Sequence, residues 1–128
     1  MLGCMGALAG TILVLLVAIE HLWFLVLEMF LFTKPIGLET FRQTQQAAET
    51  CAVLAKNQGL YNGFLAAGLI TAVVARSALL RRFSLVCVMV AGVYGAITLG
   101  ATATLILQTG PALLALVVSE VAARRAAA

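Results

Sequence analysis

The run from Phe83 to Val118 carries no charged residue. A membrane-crossing helix needs roughly 20 mostly apolar residues, so this run is too long for a single crossing and has to turn. TLGATAT, residues 98–104, supplies Gly and Thr where that turn belongs. A second long apolar stretch, residues 7–32, is stopped by Lys34, Pro35 and Gly37 in TKPIG. Composition points the same way. The chain is 63% hydrophobic and 10% charged, against about 45–50% and about 25% in soluble domains. A soluble chain of 128 residues could not hide that much apolar surface, so the expected solvent is lipid.

The expected fold is all-α: a single domain forming an integral membrane four-helix bundle with both termini cytoplasmic. The spans are expected at about 7–32, 52–75, 83–99 and 103–121. Between the first two, PIGLETFRQTQQAAET (residues 35–50) is polar and can only be a loop or a short interfacial helix. With four spans, one side holds both ends together with Arg76, Arg81, Arg82, Arg124 and Arg125. The other side holds Lys34 and Arg42, with Lys56 just inside a helix and expected to snorkel outward. That asymmetry follows the positive-inside rule. The start, MLGCMGALAG, has no basic segment before its apolar stretch and reads as a retained first span, not a cleaved signal.

The formal net charge of +3 and the isoelectric point near 9.1 do not indicate nucleic acid, because the basic residues sit scattered at helix ends and form no stripe. Cys4, Cys51 and Cys87 are odd in number and follow no metal or disulfide spacing, so they read as small apolar residues. Small residues recur at four-residue spacing: Gly59, Gly63 and Ala67 in the second helix, and Gly92, Ala96 and Gly100 in the third. Such faces let helix backbones approach closely in lipid, and no role beyond packing is expected of them.

Within the oily first run, AIEHLWFLVLEMF carries Glu20, His21 and Glu28. Ionisable groups inside a span are costly unless paired or hydrated, and they mark candidate functional sites. His21 and Glu28 are seven apart and share a helix face, about 10 Å apart along the axis; Glu20 points about 100° away from His21. The second helix adds KNQGLYNG, in which Asn57 stacks on Tyr61 and Gln58 on Asn62. Tyr94 and Gln108 come from the third and fourth helices. Counting depth from each helix midpoint gathers these groups into a polar cup in the outer half of the bundle. Glu20 and His21 form its floor, and Trp23, Phe24 and Phe64 line its walls. Asn, Gln and Tyr can also simply join helices by hydrogen bonds. Glu120, near a helix end with Arg124, reads as half of an interfacial ion pair.

The segments HLWFLVLEMFLFTKP, LAKNQGLYNGFLAAGL and VAGVYGAITL resemble a family of small bacterial membrane proteins, the domain-of-unknown-function family 1304. The resemblance covers nearly the whole chain, and NQGLYNGFLAAG is its most specific part. It implies a four-helix integral membrane protein of the bacterial cytoplasmic membrane, with His21, Glu28, Asn57, Gln58, Tyr61 and Asn62 at the motif positions. The chain also resembles the small membrane cyclases of bacterial indole-terpenoid pathways, which close an epoxidised isoprenoid chain. The fourth span departs from the family pattern in carrying few polar groups beyond Gln108.

Two functions of different classes follow. The first is an acid–base enzyme acting on a lipophilic substrate inside the bilayer, a terpene cyclase or related isomerase. A carboxyl group kept from water favours its neutral form, which suits Glu28 or Glu20 to the part of general acid, with His21 taking a proton back. Asn57 and Gln58 would orient the acid or the epoxide oxygen, with Asn62 counted among the substrate-binding residues. The faces of Trp23, Phe24, Tyr61, Phe64 and Tyr94 would stabilise a migrating carbocation, with Gln108 at the rim of the same site. The second is a proton-coupled exporter of hydrophobic cations, since small multidrug transporters also have four short helices and an embedded Glu in the first. A non-catalytic accessory subunit is the third reading. No cofactor is expected, and no metal either, since a single His offers few of the ligands usual for catalytic zinc. The sequence leaves room for a homo-oligomer.

Overall fold

The computed structural model describes residues 2–100 and 102–127, with the side chains of residues 2–4 and 99 left aside. The expectation for Cys4 and the Ala101 position of the expected turn therefore lie outside the described residues. The chain is helical almost throughout: α1 (Leu2–Phe30), α2 (Pro35–Phe41), α3 (Gln45–Val74), α4 (Ala78–Leu99), α5 (Thr102–Thr104), a π-helical turn (Leu105–Thr109) and α6 (Gly110–Ala127). Three stretches are long and apolar enough to cross a membrane: Met5–Phe30, Ala78–Thr98 and Thr102–Ala127. α3 matches them in length, but Gln45 to Glu49 and Lys56 to Gln58 dilute its apolar character.

The side chains are sorted in the reverse of a soluble protein. The buried positions are mostly small: Val14, Val17, Ala18, Ala55, Ala66, Ala112 and Ala115, with His21, Asn62, Ser84 and Ser119 as buried polar groups. Large apolar residues such as Leu8, Val53, Leu54, Val74, Leu79 and Ile97 are exposed. Contiguous apolar surface of this extent marks contact with a membrane. This is a membrane protein by the length, composition and outward-facing surface of its helices.

Local chemistry sets the helix ends. Pro35 stands in the first turn of α2, where its missing N–H costs nothing. α2 closes at Arg42, which takes the left-handed conformation at φ 51°. The polar stretch 35–50 therefore divides. Its first half is the short helix, while Gln45 to Thr50 already belongs to α3, because the Thr44 hydroxyl accepts from the Ala47 N–H at 3.3 Å and caps that helix. Ser77 caps α4 in the same way, accepting from the Leu80 N–H at 3.2 Å. α4 ends at Gly100, whose φ of 62° is the left-handed conformation that glycine adopts most readily.

The π turn lies just before Pro111. Proline offers no N–H to Leu107 and its ring crowds that carbonyl, so a regular α-helix cannot pass through unchanged. The Gly110 N–H instead donates to the Leu105 carbonyl, five residues back.

The chain divides into two compact units, one comprising Met1–Ala18 with Ala67–Ala128, the other Ile19–Ala66. In the first, small residues mark the close approaches. Gly6 and Gly10 lie against Ala122 and Ser119, Gly68 against Ser84, and Gly92 against Thr109, whose hydroxyl donates to the Met89 carbonyl at 3.4 Å. Val14, Val17, Leu69, Leu85 and Val88 fill the interior. Glu120 takes a different partner from the one its spacing suggests. Arg82 grips it with two nitrogens, at 2.8 and 2.7 Å, and an Arg81 nitrogen stands 3.5 Å away. Arg124 is close in sequence, but α4 brings two guanidinium groups to the same carboxylate.

In the second unit, Gly59 and Gly63 of α3 meet α1. A Cβ at Gly59 would stand 2.6 Å from Met29 Cγ and 3.1 Å from the Leu25 carbonyl; at Gly63 it would stand 2.6 Å from Leu25 Cδ1. α2 folds back on the end of α1, with Gly37 against the Leu31 and Phe32 carbonyls and the Phe32 and Phe41 rings 5.1 Å apart. The small face of α3 continues through Ala66, which is buried, and not through Ala67, which is exposed.

Candidate functional site

The second unit holds nearly all of the candidate residues: Glu20, His21, Trp23, Phe24 and Glu28 on α1, and Asn57, Gln58, Tyr61, Asn62 and Phe64 on α3. One pair meets directly. The Asn62 amide donates to Glu28 Oε2 at 2.7 Å, and the same nitrogen lies 3.3 Å from the Gln58 carbonyl oxygen within its own helix. Asn62 is buried and Glu28 half-buried. The glycine at position 59 makes this contact possible, because a Cβ there would come within 3.1 Å of Glu28 Cβ.

A pocket of about 220 Å³ opens beside the carboxylate, lined by Glu28, Met29, Phe30, Phe32, Thr33, Ala52 and Lys56. It is a mixed chamber, with one acid and one amine in an apolar frame. A neutral carboxylic acid here has one oxygen accepting from Asn62 and a hydroxyl left to donate elsewhere. With one oxygen held by Asn62, the other is the one that can carry and give a proton.

The other candidates do not line this pocket. His21 is fully buried and sets its ring edge-on to Phe24, with centroids 5.5 Å apart. Glu20 is half-buried. Trp23 is exposed, as are Tyr61 and Phe64, whose rings meet edge to face at 6.0 Å. Asn57 and the side chain of Gln58 are exposed too. The face of α3 toward Glu28 is thus the one carrying Gly59 and Asn62, while Asn57 and Tyr61 stand on another. Tyr94 and Gln108 belong to the first unit: Tyr94 is exposed on α4, and Gln108 lies half-buried in the π turn.

Sequence reasoning passed over Lys56 as an outward-reaching lysine and did not single out Ala52, Met29, Phe32 or Thr33. The signal was present in the spacing. Ala52, Lys56, Gly59 and Gly63 recur at four, three and four residues, which is one stripe of a helix. Among the described residues, no three of His, Cys, Asp and Glu come together as a metal site.

A helical membrane protein with a carboxylate–amide pair between two of its helices is the class that these features define. The chain belongs to the family described as protein of unknown function DUF1304, whose model matches residues 15–119. It is 36% identical over 112 residues to the uncharacterized protein YpaA of Lactococcus lactis subsp. lactis (strain IL1403), a match covering 84% of this chain and 93% of that one. No solved structure matches it.

Proposed function

We propose that this chain is a membrane-embedded acid–base enzyme acting on a lipophilic substrate, and that its reaction is the cyclisation of an epoxidised isoprenoid chain. The observation that carries this reading is the 2.7 Å contact between Glu28 on α1 and Asn62 on α3, beside a pocket whose one other charged lining residue is Lys56. The amide occupies one carboxyl oxygen and leaves the acid proton on the other. Glu28 donates that proton to the epoxide oxygen as one of its two C–O bonds breaks, and the oxygen stays on the neighbouring carbon as a hydroxyl. The alkene electron pair next along the chain attacks the resulting cation and closes a ring. The last cation loses a proton to His21 or Glu20, and its return to Glu28 resets the site. Nothing is added or removed, so the product is an isomer of the substrate. Glu20 is the second choice for the donor.

The aromatic rings that line the Glu28 pocket, Phe30 and Phe32, suit a cation, at about 0.5–2 kcal/mol per contact. The surroundings in this reading are a four-span bundle in the bacterial cytoplasmic membrane, α3 serving as the polar span and both termini facing the cytoplasm.

The test uses membranes carrying the wild type, Glu28→Gln, His21→Ala or Asn62→Ala, incubated with an epoxidised farnesyl-indole and analysed by mass spectrometry and NMR. Ring-closed isomer from the wild type, lost in Glu28→Gln at equal protein level, is the expected result. A folded wild type that leaves the epoxide intact overturns the reading.

A further inference from the structure

A second pocket, also of about 220 Å³, lies in the first unit and has a different character. Its polar lining is Thr11, Arg76, Arg81 and Ser119; the rest of the wall is small and apolar, from Ala7 to Ala126. Two donors there are buried with no hydrogen-bond partner among the described residues: Arg81 Nε and Ser119 Oγ. Buried donors are almost always satisfied, so a pair of orphans beside one cavity points to an absent acceptor.

The charge balance says what kind. Among the described residues, Glu120 is the carboxylate bonded in this corner, and Arg82 takes both its oxygens at 2.8 and 2.7 Å. Arg81 reaches it only at 3.5 Å, through a terminal nitrogen. Positive charge therefore remains over the pocket from Arg81 and Arg76.

Arg76 closes α3 in the left-handed conformation at φ 50°, its N–H on the Val73 carbonyl at 3.2 Å and the following Ser77 N–H on Ala72 at 2.9 Å, and its side chain lines the cationic pocket.

We propose that this pocket binds a phosphate group, carried by a membrane lipid or by a soluble anion, through the guanidinium groups of Arg76 and Arg81 and the hydroxyl of Ser119. Guanidinium presents paired donors that match phosphate oxygens, and Ser119 adds a third. The site is independent of the chemistry at Glu28.

The experiment takes the purified full chain in detergent. Native mass spectrometry measures retention of phosphatidylglycerol against diacylglycerol, the same apolar body without phosphate. In parallel, thermal unfolding is followed with inorganic phosphate, ionic strength held constant with chloride. The expected result is selective retention of phosphatidylglycerol, stabilisation by phosphate, or both. Either should be weakened about tenfold by Arg81→Gln or Arg76→Gln, the loss of a charge-assisted hydrogen bond. Ser119→Ala provides the check on folding, since deleting an unpartnered hydroxyl leaves the fold intact. It should still weaken binding. Retention of lipid with no effect of inorganic phosphate assigns the headgroup, and the converse assigns a soluble anion. Equal retention of diacylglycerol with no phosphate effect overturns the proposal. So does an equal loss in Arg124→Gln/Arg125→Gln, which removes charge outside the pocket.

Discussion

Two carboxylates divide this protein's chemistry between its two units. Glu120 is held by guanidinium groups from Arg82 and Arg81, while Glu28 has the neutral amide of Asn62 at 2.7 Å. Arginine fixes a carboxylate as an anion, and a carboxylate so held is a structural peg. An amide can accommodate either protonation state, since its N–H bonds a carboxylate and a carboxylic acid alike. The partner, more than the acid, decides whether a proton can move. The carboxylate of one unit is held by paired guanidinium groups, and that of the other by a neutral amide, with Lys56 lining the pocket beside it.

That contrast can be broken most decisively at the acids themselves. Glu28→Gln should lower cyclisation by about 10²-fold or more, the scale of a lost general acid, while helix content by circular dichroism stays unchanged because the new amide oxygen still accepts from Asn62. Glu120→Gln should leave turnover unchanged, and an equal loss in both variants would erase the distinction. Next comes packing. Gly59→Ala pushes against Met29 and the Leu25 carbonyl and should cost about 1–3 kcal/mol in reversible denaturation. Gly110→Ala meets nothing within 4 Å and should instead gain about 0.5–1 kcal/mol. Arg76→Gly relieves a left-handed arginine and should raise stability by about 1 kcal/mol, yet it should weaken phosphate retention. Stability and binding moving in opposite directions would sharpen the case that the Arg76 side chain serves the pocket. The smallest effect belongs to the exposed Arg82–Glu120 pair. Its removal should shift the melting temperature slightly at low salt and not at all near 1 M, where the Debye length is about 3 Å.

Much of the helical framework could be read from residues that punctuate it. Pro35, the end of the second span at Arg76 and the glycine of TLGATAT each fall at a helix boundary, because each acts through local backbone chemistry. The Gly59 and Gly63 stripe identified a close-packed face, and the structure places α1 against it. Which polar group shares that face was harder to see. Asn57 pairs with Tyr61 by spacing alone, but a four-residue repeat says only that two side chains align, not which way they point. Applying the glycine stripe to the amides selects Asn62, three residues after Gly59 and so on the same face, and leaves Asn57 exposed. Thr44 went unnoticed as a cap because a polar neighbourhood looks the same inside and outside a helix. The choice of Arg82 over Arg124 for Glu120 depends on which helices become neighbours, and sequence distance is silent on that.

The π turn at Leu105–Thr109 has a bearing on how this helix tolerates change in length. A widened turn accommodates one residue more than a regular turn would. The polypeptide on either side can then keep its own rotational setting, as a loop of slack in a rope lets both knots stay tied. Shortening the chain by one residue at Ile106 would draw in that slack before it twisted α6. A deletion at the same distance from the end of an uninterrupted helix, such as α4, has nothing to absorb it and would rotate every following side chain by about 100°. Tolerance to lost residues should therefore peak at this turn.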